Sequence, residues 1–155
     1  MHFPIIKIEP IDLAREAWDF DLDYGDECLN EHTDYYGEIY NDEDRRDVIT
    51  SDWLRELLDG IATIDTEKET ITFLDKQTIL NTLNDYYLEQ AKTLFEKAAQ
   101  QRISRDDFRK AGERFRDFNT LFVEDYGKTS LDFVGDAEYN AGETVQIGNI
   151  FDAHF

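Results

Sequence analysis

The chain has one cysteine, one methionine and two prolines in 155 residues, and only 16 basic side chains against 36 acidic ones. Each shortage excludes something. With Cys28 alone, no intramolecular disulfide can form, which fits a reducing compartment. No apolar run approaches the length needed to span a bilayer. The start, MHFPIIKIEPID, lacks a basic segment followed by a long apolar one, so no signal peptide is expected. The formal net charge of -20 repels DNA, RNA and anionic membranes and makes basic proteins the natural partners.

Catalytic signatures are missing too. There is no Gly-x-Ser-x-Gly elbow, no Walker loop and no Gly-x-Gly-x-x-Gly. Cys28 has no identifiable base and orienting group. Among 36 acids some carboxylate pair always exists, so pairing alone diagnoses no glycosidase. No catalytic residue is assigned and no cofactor is implied.

What is present is globular in character. The apolar fraction of 41% and aromatic fraction of 14% supply material for a core that disordered acidic chains lack. The length predicts a single domain over 1–155. The fold class expected is α+β, a long antiparallel helix pair packed with a small antiparallel sheet of short strands. Strands are read at residues 3–8, at 62–65 and 69–74 as a hairpin around Thr66, and in the tail from 129 to 151. Asp12 is a candidate cap for a short helix through Phe20. Thr50 or Ser51 caps a helix with Trp53, Leu54, Leu57 and Leu58 on one face, ended by Gly60. Asp75 caps the longest helix, to about residue 101. Ser104 and Asp107 open a further helix carrying Phe108, Ala111, Phe115, Phe118 and Phe122, with Gly127 as its C-cap.

The charge is unevenly placed. From Glu16 to Asp44 there are twelve acids, no Lys or Arg, and six aromatic rings. This acidic, aromatic-rich segment (16–47) reads as loops with short strand or helix pieces. Opposite in sign is a basic island from Lys97 to Arg116, seven basic side chains against three acidic ones. Its blander reading, helix-end dipole partners and internal ion pairs, outweighs a nucleic-acid contact.

Metal chemistry is tested first on the run from Asp19 to Gly25. An EF-hand needs Gly at the sixth position and Glu at the twelfth. Gly25 and Glu31 each fall one place late, so a calcium loop is not expected. The spacing of Cys28 and His32 would allow both on one helical turn, but two more Cys or His ligands for zinc are lacking nearby. No metal site is assigned.

The remaining reading is a carboxylate surface spaced like phosphates. Duplex DNA presents a charge about every 1.7 Å of axis. Carboxylates two apart on a strand lie about 6.6 Å apart, as for Asp19, Asp21 and Asp23. Four apart on a helix they lie about 6 Å apart, a ladder open to Glu27, Glu31 and then Tyr35 or Glu38. The partner-binding set is Asp19, Asp21, Asp23, Asp26, Glu27, Glu31, Asp34, Glu38, Asp42, Glu43 and Asp44, with Tyr24, Tyr35, Tyr36 and Tyr40 adding contact area. A solvated face kept for solubility would normally mix both signs.

In size and composition the chain resembles phage and mobile-element inhibitors that mimic DNA, anti-restriction and anti-CRISPR proteins among them. The resemblance is one of character, and no residue is carried over from it. It implies a non-catalytic inhibitor in a bacterial cytoplasm, bound to a basic protein such as a nuclease. The chain is similar in the same way to acidic immunity proteins that neutralise nuclease toxins, the alternative reading. A carboxylate-based metal protein or enzyme is the third. A homodimer through an apolar patch is compatible with the composition.

Overall fold

A computed structural model of the chain describes residues 2–11, 35–111, 121–124, 128–130 and 137–154. Two long strands form its spine. The β-branched run of β1 (His2–Pro10) lies antiparallel to β7 (Thr144–His154), from His2 opposite His154 to Pro10 opposite Val145. Between Ile6 and Ile8 the register slips, and β7 carries the extra residue. That bulge returns Ile147 and Ile150, three apart in sequence, to the same core. Gly148 lies in it: a Cβ there would stand 3.3 Å from Glu9 Oε1 and 3.5 Å from Lys7 Cδ.

The full order is β3-β4-β7-β1-β5-β6, and β2 also pairs with β7. Here β2 is Tyr35–Glu38, β3 Ala62–Asp65, β4 Thr70–Phe73, β5 Leu121–Glu124 and β6 Lys128–Ser130. The β3–β4 hairpin forms where the sequence places it. The sheet is largely antiparallel, but β5 runs parallel to β1. Among the described residues it has seven strands, and two of them, β1 and β7, are long, so the expectation of short strands is corrected there.

One edge of β7 is shared. Its beginning pairs with β4 and its end with β2. The interval from Ile147 to Ile150 is completed by other groups. The Ile147 amide donates to the Glu69 carbonyl at 2.8 Å, and the Ile39 amide to the Ile150 carbonyl at 2.8 Å. Arg45 donates through Nη1 to the Gly148 carbonyl at 2.6 Å and through Nη2 to the Ile147 carbonyl at 3.2 Å. The same guanidinium grips Glu69 Oε2 through Nε at 3.0 Å and Nη2 at 2.5 Å. One half-buried arginine therefore closes the gap between two strands that compete for one edge.

The described α-helices are α1 (Asp42–Thr50), α2 (Asp52–Leu58), α3 (Lys76–Ala99) and α4 (Arg105–Ala111). The first two and the start of α3 cover one face of the sheet, while α4 lies against α3. Ile49, Leu54, Leu57, Leu58, Ile61, Ile79 and Leu83 meet Ile6, Ile8, Ile71, Phe73, Ile147 and Ile150 in a single core. The stripe read in α2 is the buried one, save that Trp53 is half-buried. Gly60, two residues past its end, adopts φ +73°. A Cβ there would lie 2.5 Å from Thr82 Oγ1, whose hydroxyl donates to the Gly60 carbonyl at 2.9 Å. Glycine thus satisfies both the left-handed turn and the close approach of α3.

The helix pair matches the expectation in part. Asp75 caps α3 as expected, accepting from the Thr78 amide at 3.0 Å, and hydrogen bonds from Thr78 hold its carboxyl below the usual range. But α4 is described over Arg105–Ala111, Phe115 and Phe118 lie outside the described residues, and Phe122 belongs to β5. A helix through Phe122 is thus excluded; Gly127 lies outside the described residues. The parallel pairing of Ile5, Ile6 and Lys7 with Leu121, Phe122 and Val123 overrides the helical spacing of the phenylalanines.

Candidate acidic interface

Eight of the fifteen sequence candidates, Asp19, Asp21, Asp23, Tyr24, Asp26, Glu27, Glu31 and Asp34, lie outside the described residues. So do the tested calcium loop, Cys28 and His32, and the helix expected after Asp12. The other seven fall into two groups.

The first group is built into the sheet. Tyr35 and Tyr36 are strand residues of β2, opposite His154 and Ala153. Glu38 is half-buried and accepts from Asn149 Nδ2 at 2.6 Å. A helical ladder continuing from Glu31 through Tyr35 or Glu38 is therefore corrected, because both positions are extended backbone.

The second group is on the surface. Tyr40 is 81% exposed, and the negative charge of Glu38 beside it holds its phenol above the ordinary pKa. Asn41 caps α1: its Oδ1 accepts from the Asp44 amide at 2.8 Å, while its Nδ2 donates to Asp44 Oδ2 at 2.6 Å. Asp42, Glu43 and Asp44 then occupy the first turn, where the helix dipole favours negative charge. All three are exposed.

The exposed acids do not stop at Asp44. Asp47 on α1, Asp52 and Glu56 on α2, and Asp59 just beyond it are exposed as well. From Asp42 to Asp59 there are seven exposed carboxylates and two exposed arginines, Arg46 and Arg55. Arg55 stands 3.6 Å from Asp52. Glu43 with Asp47, and Asp52 with Glu56, are four apart, about 6 Å along a helix axis. These four further acids were not among the sequence candidates. For Asp52 and Glu56 the signal was available: once Trp53, Leu54, Leu57 and Leu58 are the inner stripe of α2, its acids are the outer one.

Both helices are anchored. Ile49 of α1 is 1% exposed, and Leu54, Leu57 and Leu58 of α2 are buried. The charges thus stand on backbone fastened to the core and, through Arg45, to the sheet.

The basic island is partly neutralised within the fold. Lys97 at the end of α3 pairs with Asp107, and Arg109 Nη2 lies 3.0 Å from Asp106 Oδ1. Ser104 and Asp107 form a reciprocal cap, the Ser104 amide donating to Asp107 Oδ2 at 2.8 Å and the Asp107 amide to Ser104 Oγ at 3.2 Å. Hydrogen bonds from Lys97 and then Ser104 lower the Asp107 carboxyl from 3.8 to about 2. A depressed folded-state pKa stabilises above the unfolded value and is lost as pH falls through the folded one. The protection of the Ser104 amide against exchange is therefore expected to hold above pH 3.8 and to fall as the pH approaches about 2. Exchange measured by NMR checks this; an Asp107→Asn chain showing the same pH step would contradict it.

No helix among the described residues is long and apolar enough to cross a membrane. Among the same residues no three His, Cys, Asp or Glu side chains cluster as metal ligands would. No family model matches the chain, and comparisons with characterised proteins and with solved structures find no significant similarity.

Proposed function

We propose that the chain is an acidic protein inhibitor that occupies the basic nucleic-acid-binding site of a nuclease or other DNA-binding effector, sterically and without turnover, in a bacterial cytoplasm. The observation that carries this reading is the segment from Asp42 to Asp59, six exposed carboxylates on two short helices tied to the core and a seventh, Asp59, just past the second. Rigid, closely spaced negative charge suits a groove built for phosphates, because ordering entropy need not be spent on binding. Exposed Tyr40 at its rim supplies the aromatic contact that acids lack.

The test is competition. The chain is immobilised, its partner captured from bacterial lysate at low salt and identified by mass, and duplex DNA added in excess. A DNA-binding partner released by DNA is the expected result, with binding that also weakens as salt rises. A partner retained under saturating DNA overturns the groove reading, and favours an immunity protein covering an exosite.

A further inference from the structure

Only Ile79 and Leu83 of the 24 residues in α3 are buried. Farther along, Leu88 is 54% exposed and Phe95 76% exposed. With Ala91 and Ala98 these side chains recur at steps of three and four, the spacing of a helix-pairing seam. At about 100° per residue this stripe lies roughly a third of a turn from the Ile79 and Leu83 side. It is thus a second apolar face, separate from the one that meets the sheet.

The charge around it identifies the occupant. From Asp85 to Ala111 there are six basic and five acidic side chains, whereas Glu38 to Glu69 has eleven acidic and four basic. A second copy of so acidic a chain is repelled over the α1–α2 face, and meets no such field along the outer half of α3. The stripe is also complementary to itself. A two-fold axis beside Ala91 in an antiparallel pair sets Leu88 of one copy against Phe95 of the other, twice, with the small Ala91 at the crossing. We infer that the outer half of α3 is a homodimer interface, in which the two α3 helices pack antiparallel about Ala91. The two acidic faces are then carried outside the seam.

This inference does not rest on the inhibitor reading, since the residues involved are separate from α1 and α2. It is tested on the full chain by sedimentation over about a hundredfold range of concentration. The wild type is expected to pass from one chain to two. The dimer should tighten as salt is raised, because screening relieves the self-repulsion of a -20 chain; target binding should respond oppositely. Phe95→Asp, at an exposed position, is expected to weaken dimerisation at least about tenfold, with an unchanged melting temperature at concentrations where both chains are single. In a Cys28→Ser background, a short bis-maleimide should join two copies through Ala91→Cys, and not through Tyr139→Cys, an exposed control off the stripe. A wild type that stays single at high salt, a Phe95→Asp chain that dimerises equally well, or equal cross-linking at both cysteines overturns the proposal.

Discussion

Neutralising Asp42, Glu43, Asp47 and Glu56 together, as Asn or Gln, is expected to weaken target binding about a thousandfold while the fold persists. Each carboxylate facing a cation on a partly dry interface contributes about 1 kcal/mol, so four give about 4 kcal/mol, close to three powers of ten. The folding cost is much smaller. All four side chains are exposed, and only Asp42 and Glu43 lie in the first turn of α1, where each loses about 0.5 kcal/mol of dipole stabilisation. Circular dichroism and a thermal melt establish the fold; titration calorimetry against the captured partner gives the affinity. A companion variant neutralised at Asp19, Asp21, Asp23 and Asp26 divides the effect between the α1–α2 acids and the earlier acids of the sequence run. If both quadruple variants bind as tightly as the parent, charge mimicry is wrong.

Arg45→Ala is expected to cost about 3 kcal/mol of stability, with a lower urea midpoint and an unchanged slope. The side chain is only 16% exposed and its partner Glu69 27%. Its removal leaves the Gly148 and Ile147 carbonyls without their guanidinium donor, and it takes the same cation from a partly desolvated carboxylate. Arg45→Lys should restore less than half. One ammonium cannot reproduce a planar fork that reaches Glu69 and two carbonyls at once. A loss below about 1 kcal/mol in the alanine variant would show the pair to behave as an ordinary surface ion pair. The double variant Arg45→Ala with Glu69→Gln should be milder than the two losses summed, because the stranded charge is gone.

Local chemistry was legible wherever it involved neighbours in sequence. Asp75 as the cap of α3, the Ser104–Asp107 box, Gly60 beyond α2 and the hairpin at Thr66 all depend on residues within a few positions of one another. The inner stripe of α2 was readable for the same reason. The acids Asp52 and Glu56 follow from that stripe by subtraction, yet they fell outside a segment defined by the absence of Lys and Arg. Rigid surface is set by which helix face is buried, and a run of one sign does not report that. Glu38 illustrates the converse: it belongs to the acidic run, but β2 pairing and Asn149 draw it toward the sheet.

The chain by itself determined its charge, the lack of catalytic and phosphate-binding signatures, the α+β character and the starts of α3 and α4, because these rest on composition and on hydrogen bonds spanning three or four residues. Tertiary structure alone decided three things. It turned the phenylalanine-rich stretch into a strand at Phe122, since partners on β1 more than a hundred residues away favour extended backbone there. It set Arg45 into the break between β2 and β4, a role that depends on Glu69 and Gly148 arriving from distant parts of the chain. And it left most of α3 beyond the core, so that Leu88 and Phe95, two large apolar side chains, became surface. In each case contacts distant in sequence outweighed a local preference of a few tenths of a kcal/mol per residue.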